Sequence, residues 1–280
     1  GLSLYGNGGI NGGIVLIKEG YNYDQGGWNN NVYGGQIRLK VGQTLLVDGS
    51  VISTRGRTSK YINNNIPVGS IDIDAGNLVL QKNSRIEMPS GEVPEGVAMG
   101  TLDIEVANLL RIQNSKLAVS AIGSHSTRTD VSLSAKNIEL NSATLEHLNY
   151  FSEVYNQGDL YLRDKPEPVF LTGYGSFDIT ANATLVSRGD TIISMQNGEV
   201  KMAAGGMLLD GATVETETHW LQDSEGRNSQ LELRSSGQLL LHNSRFAMET
   251  ISSDGRQVFS ATAPVVQLKN SQLTLTDEVA

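Results

Sequence analysis

The chain has 280 residues, a formal net charge of −9 and no cysteine, so it lacks the clustered Lys and Arg that a phosphate backbone requires, and nucleic acid is excluded as a partner. Disulfide and thiolate-metal frameworks are excluded as well. With 31 Gly, 6 Pro and abundant Asn and Ser around short Val/Ile/Leu/Thr runs, the composition predicts strands joined by tight turns, and no segment of ten residues carries a clean helical stripe.

Residues 1–34 open with GLSLYGNGGI, which has no Met, basic region or apolar core. It reads as neither a signal peptide nor a membrane span, and no direct membrane insertion is expected. The expectation is a rung cut from something longer, followed by the loop YNYDQGGWNNNVYGG. That loop sets Tyr21, Tyr23, Trp28 and Tyr33 among Gly, Asn and Asp. Aromatic faces stack on sugar rings while amides and carboxylates bond the hydroxyls, so this composition suits a glycan surface or, equally, a cover for apolar flank.

From Gly35 the chain repeats itself, and a repeat governs the whole reading. The units GQIRLKVGQTLLVDGSVIST, GSIDIDAGNLVLQKNSRIEM, GTLDIEVANLLRIQNSKLAV and TDVSLSAKNIELNSATLEH fill residues 35–147. After a long insertion at 148–174, the units from Gly175, Gly198, Ser229 and Ala263 continue to residue 280. First strands are expected to begin at Ile37, Ile71, Leu102, Val131, Phe177, Val200, Leu231 and Val265, separated by 34, 31, 29, 46, 23, 31 and 34 residues. Strict alternation sends Ile71, Ile73, Leu102 and Ile104 to one face and Asp72, Asp74, Asp103 and Glu105 to the other.

A unit of this kind cannot bury its apolar face alone and must stack on the next. Three short strands, two fixed turns and one variable loop describe an all-β, right-handed parallel β-helix. About eight rungs, with one long loop insertion, give a rod roughly 40 Å long at about 4.8 Å per rung. The turn before the third strand carries Asn or Gly first, as in Asn83-Ser84, Asn114-Ser115, Asn141-Ser142, Asn243-Ser244 and Asn270-Ser271. A positive φ is expected there, and Asn side chains are expected to ladder along the rod.

The insertion holds Tyr150, Phe151, Tyr155, Tyr161, Phe170 and Tyr174. It is the second glycan-binding candidate, since a loop of that length needs a reason to persist. Farther on, Arg188-Gly189-Asp190 spells a cell-attachment tripeptide. The turn rule alone accounts for it, with Gly189 at the Asn/Gly position, Asp190 at the Ser position, Ile192 as the first buried residue and Arg188 in the polar slot of Lys82.

The units GSIDIDAGNLVLQKNSRIEM and GTLDIEVANLLRIQNSKLAV resemble the repeat region of filamentous-haemagglutinin exoproteins, over most of residues 35–275. The resemblance implies a secreted or surface-held β-helical shaft that serves adhesion, with a surface receptor or glycan as partner and an outer-membrane transporter of the two-partner type during secretion. The family's secretion domain carries Asn-Pro-Asn motifs near the mature N-terminus, and none occurs here. The resemblance therefore implies a shaft segment whose secretion signal lies elsewhere.

Parallel β-helices also include polysaccharide lyases and hydrolases, which need paired carboxylates about 5–10 Å apart. Asp72 and Asp103, with Asp74 and Glu105 beside them, are the candidates for that alternative. They could also hold Ca²⁺, although a hard cation wants more oxygens than two side chains supply. A purely structural spacer is the third reading. The four histidines, His125, His147, His219 and His242, are expected in separate loops or turns without metal-ligand spacing. No catalytic residue, cofactor or metal site is expected.

Overall fold

The computed structural model describes the backbone of residues 36–54, 69–88, 99–122, 128–150, 174–219, 228–251 and 256–278, with side chains over 36–54, 70–88, 100–119, 129–148, 175–218, 229–250 and 257–276. It also describes the backbone of short strands at Leu2–Leu4, Gly8–Asn11, Ile14–Ile17, Gly20–Tyr21, Val32–Tyr33, Ser152–Val154 and Val169–Leu171. Among these residues there is no helix.

The alternation becomes a stack. Gln36–Asp48, Gly69–Gln81, Met99–Gln113, Arg128–Asn141, Tyr174–Arg188 and Gly198–Asp210 lie side by side, in parallel, within a twelve-stranded sheet. A nine-stranded sheet faces it, built from the shorter strands that close each coil, from Ile14–Ile17 through Arg85–Met88 and Lys116–Ile122 to Gln272–Glu278. The molecule is a parallel β-helix.

Register places like on like. Ile37, Ile71, Leu102, Val131, Phe177, Val200 and Leu231 form one column of Cα partners, and all are almost fully buried. Ile52, Ile86, Leu117, Leu145, Ile193, Val214 and Phe246 form the facing column. Each such side chain contributes about 1.5–3 kcal/mol by leaving water, and the columns join into one continuous core.

In the six coils whose long strands begin at Gln36, Gly69, Met99, Arg128, Tyr174 and Gly198, the first and second strands of the unit prove to be one long strand with a bend, where the register shifts between Val41 and Thr44, Val106 and Leu109, and Ala181 and Thr184, while Asn228–Ser235 and Gln238–His242, and Arg256–Thr262 and Val265–Lys269, stay separate. A bulge of one or two residues turns this corner without interrupting the sheet. The turn before the closing strand breaks the ladder in each of these coils, and it does so with a positive φ: Gly49 57°, Asn83 60°, Asn114 45°, Ser142 48°, Gly189 68°, Gly211 78°, Asn243 50° and Asn270 52°.

Three registers differ from the repeat alignment. In the coil at 128–150 the left-handed residue is Ser142, because Asn141 pairs with Gln113 at the end of the preceding strand and Ala143 fills the buried slot. At Arg188-Gly189-Asp190 the corner holds an extra residue. Thr191, not Asp190, takes the buried hydroxyl slot, and Ile193, fully buried, is the first core residue, while Ile192 is 39% exposed. The partner of Arg188 is Asn141 and that of Asp48 is Gln81, so Lys82 is itself an inserted corner residue, at φ 58°.

The last coil begins earlier than its apolar pattern predicts. Arg256–Thr262 pairs with Asn228–Ser235 and sets Phe259 on Leu231. Val265 pairs with Gln238 and so opens the second strand, not the first. Ser260, Thr262 and a lone Phe259 make a weak strand signal, and the pairing, not the hydropathy, defines it.

Candidate functional site

The outward columns are as ordered as the inward ones. Asp72 pairs in register with Asp103 and Asp74 with Glu105, one coil apart at about 4.8 Å. On the other side Arg38 and Lys40 stand in register with the same two aspartates. Arg38 Nε lies 2.8 Å from an Asp72 carboxylate oxygen and Lys40 Nζ 2.7 Å from one of Asp74. The column through Asp72 runs Arg38, Asp72, Asp103, Ser132, Asp178, Lys201, Glu232.

This is a mixed, solvated face in which neighbouring coils neutralise one another. Lys82 with Asp48 at 2.8 Å, Arg111 with Glu139 at 2.7 Å and Lys116 with Glu146 at 2.5 Å repeat the pattern between coils elsewhere. Lys201 bonds Glu199 two residues away, and that hydrogen bond raises the lysine above its ordinary value. Exposed pairs of this kind contribute about 0–1 kcal/mol each. Among the described residues no group of three or more His, Asp or Glu side chains could hold a metal ion.

The connections between coils all leave at one corner, from the end of a closing strand to the start of the next long strand. The closing strands that end at Thr54, Met88, Ile122, Tyr150, His219 and Ile251 are followed by long strands that begin at Gly69, Met99, Arg128, Tyr174, Asn228 and Arg256, so the linking segments start from that corner in successive coils. At Gln196-Asn197-Gly198 the same corner is closed by Asn197 alone, at φ 54°. The backbone of Ser152–Val154 pairs antiparallel with Val169–Leu171, and Gly20–Tyr21 pairs antiparallel with Val32–Tyr33.

Of the glycan-binding candidates, Tyr21 and Tyr33 lie in that second pair of strands, and Tyr150 ends the closing strand Thr144–Tyr150. Tyr174 begins the next long strand, in register with Arg128. Tyr23, Trp28, Phe151, Tyr155 and Tyr161 lie outside the described residues. Arg188, Gly189 and Asp190 are all exposed. Their corner is tied to the coil below, since Ser142 N donates to Arg188 O at 3.0 Å.

Two features escaped sequence reasoning. The ladder at the turn is made mainly by hydroxyls, not by asparagines. Ser50 N donates to Ser84 Oγ at 3.1 Å, Ala212 N to Ser244 Oγ and Ser244 N to Ser271 Oγ, both at 3.2 Å. One Asn–Asn side-chain bond, Asn270 Nδ2 to Asn243 Oδ1 at 3.3 Å, occurs among the described residues.

The other is His147, which lies in no loop. It stands in the core between Val119 and Met195 and is fully buried. The signal was present, because His147 follows Leu145 as Val119 follows Leu117 and Met88 follows Ile86. His242 is a half-buried strand end in register with Asp210 and Lys269. His219 ends the strand Thr213–His219, and His125 lies outside the described residues. Comparison with protein-family models, curated proteins and solved structures finds no match.

Proposed function

We propose that the chain is a non-enzymatic segment of a secreted or surface-exposed adhesin, a rigid shaft that presents its variable connections for contact with a cell-surface receptor or glycan. The supporting observation is the segregation of variability. Two corners of the coil are held to one to three residues by bulge and turn, while the connections at 55–68, 89–98, 151–173 and 220–227 all leave from the third. A shaft with one variable edge suits display of loops, which is where recognition usually resides on a repeat scaffold. The resemblance of its units to filamentous-haemagglutinin repeats supports secretion through an outer-membrane transporter.

The ion pairs on Asp72 and Asp74 weigh against a sugar-cleaving enzyme, whose two carboxylates must be free to exchange protons. The test copies a corner the molecule already has. His147 pairs with Met195 and Gly175 with Gly198, so replacing residues 149–174 with a single Asn reproduces Gln196-Asn197-Gly198. That variant should unfold as cooperatively as the parent and lose binding on a glycan array or to cells. Unchanged binding removes the insertion from the recognition surface. Polysaccharide cleavage by the parent, abolished by Asp103→Asn, replaces the proposal with the enzymatic alternative.

A further inference from the structure

The inward slot two residues after the first core position of the closing strand is Met88, Val119, Met195 and Met248 in four coils. In the coil at 128–150 it is His147. The imidazole Nε2 is 2.8 Å from the Thr129 carbonyl oxygen. Nε2 therefore carries the hydrogen and donates it, which leaves Nδ1 as a bare acceptor, buried and without a hydrogen-bond partner. The ring stands edge-on to Phe177 with centroids 6.4 Å apart.

The surroundings leave no room to adjust. Thr129 pairs with Gly175, and a Cβ on Gly175 would lie 2.1 Å from the Thr129 oxygen and 2.6 Å from His147 Nε2. Only glycine allows the next coil to start this close. Gly175 N in turn donates to Asn197 O at 3.2 Å. The bond from His147 to Thr129 thus joins the closing strand Thr144–Tyr150 to the start of its own coil's long strand, Arg128–Asn141, on which Tyr174–Arg188 begins through the pairing of Thr129 with Gly175.

We propose that His147 and the Thr129 carbonyl form an acid-released clasp that holds this one corner of the rod shut when the imidazole is neutral and opens it when the imidazole is protonated. A second proton would place a charge on a fully buried ring among Val119, Met195 and Phe177, with nothing beyond the residue's own backbone to receive a hydrogen from Nδ1. An uncompensated buried charge is among the most costly groups a core can hold.

The charged neighbours do not relieve it. Asp130, on the strand Arg128–Asn141, is engaged by Ser176 Oγ at 2.9 Å, and the same hydroxyl lies 2.9 Å from Asp178 of the adjacent long strand. Glu146, beside His147 on its own strand, is paired with Lys116 from the strand below. The strand above, Ile192–Gln196, brings Ser194 and Met195 into register with Glu146 and His147 and no charge.

Burial pushes the imidazole below its ordinary 6.5, and the Thr129 carbonyl, the backbone of His147 itself and Asp130 oppose that shift without reversing it. The unfolded or opened corner therefore binds a proton more readily than the closed one. The clasp is at full strength above pH 6.5 and loses strength as the pH falls from 6.5 toward the lowered value. This holds whether or not the insertion binds a glycan.

Amide hydrogen exchange of the whole chain between pH 7.5 and 5.0, corrected for intrinsic rates, tests it. Peptides covering 144–150 and 174–180 should lose protection as the pH falls below 6.5, by at most about tenfold per pH unit, while those covering 36–48 and 69–81 keep theirs. His147→Met, which copies Met195, should abolish the change. His147→Gln, which keeps a donor but cannot ionise, should do the same and serves if the Met variant fails to fold. Equal pH dependence in the parent and either variant overturns the clasp, as does a loss spread evenly along the rod.

Discussion

At the scale of the residue, what matters is which atom fills the inside of each corner. The Asn or Gly in the turn supplies a positive φ at little cost. The next residue, usually Ser, supplies the bond between coils. Ser84 is fully buried, its Oγ accepts from Ser50 N, and it lies 2.9 Å from Val47 O and 2.6 Å from Gln81 O. Ser84→Ala leaves the Ser50 amide without that partner and should destabilise the chain by about 1–2 kcal/mol in urea unfolding. Ala143 and Ala212 already occupy this slot in other coils, which sets the expectation at the modest end. The turn motif was plain in the sequence. Its division of labour was not, because Asn and Ser both satisfy the spacing and only the direction of each side chain, inward or outward, separates them.

At the scale of the element, the long strands were legible from period-two alternation and their pairing from the likeness of the units. Asp103 on Asp72 and Glu105 on Asp74 are in register as that likeness predicted. The ion pairs to Arg38 and Lys40 follow from the same register, but no periodicity announces them. Arg38 and Asp72 side chains are 72% and 44% exposed, so solvent screens the pair. Arg38→Ala should change unfolding free energy by less than about 1 kcal/mol, with the effect shrinking further in 1 M salt. Where the likeness weakens, the register that the units suggest is off by a residue, as at Asn141-Ser142 and Gly189-Asp190-Thr191. An extra corner residue is absorbed without moving the core, since turn backbone can bulge outward and a buried column cannot shift.

At the scale of the molecule, the rod is a one-dimensional stack in which each coil gains its stability from its neighbours. Among the described residues the coil at 256–278 pairs with the coil at 228–251 alone. Leu268 and Leu275 are 63% and 53% exposed there, whereas Leu241 and Met248, their register partners one coil earlier, are almost fully buried. Met248→Ala should cost about 2–5 kcal/mol and Leu275→Ala less than about 1 kcal/mol, compared by chemical denaturation of the same chain. The sequence alone carried the class of fold, the count and order of the core units, the left-handed turns and the polar outer face, because alternation and turn chemistry are local and repeat from unit to unit. Three-dimensional pairing alone decided that Val265 opens a second strand, that Asp190 is an extra corner residue, and that His147 bonds the Thr129 carbonyl. Those outcomes depend on which coil lies above and below a residue. The Arg-Gly-Asp stretch, the pair Asp72 and Asp103 and the lone core histidine cannot be ranked by composition, and stacking ranks them by the neighbour each one meets.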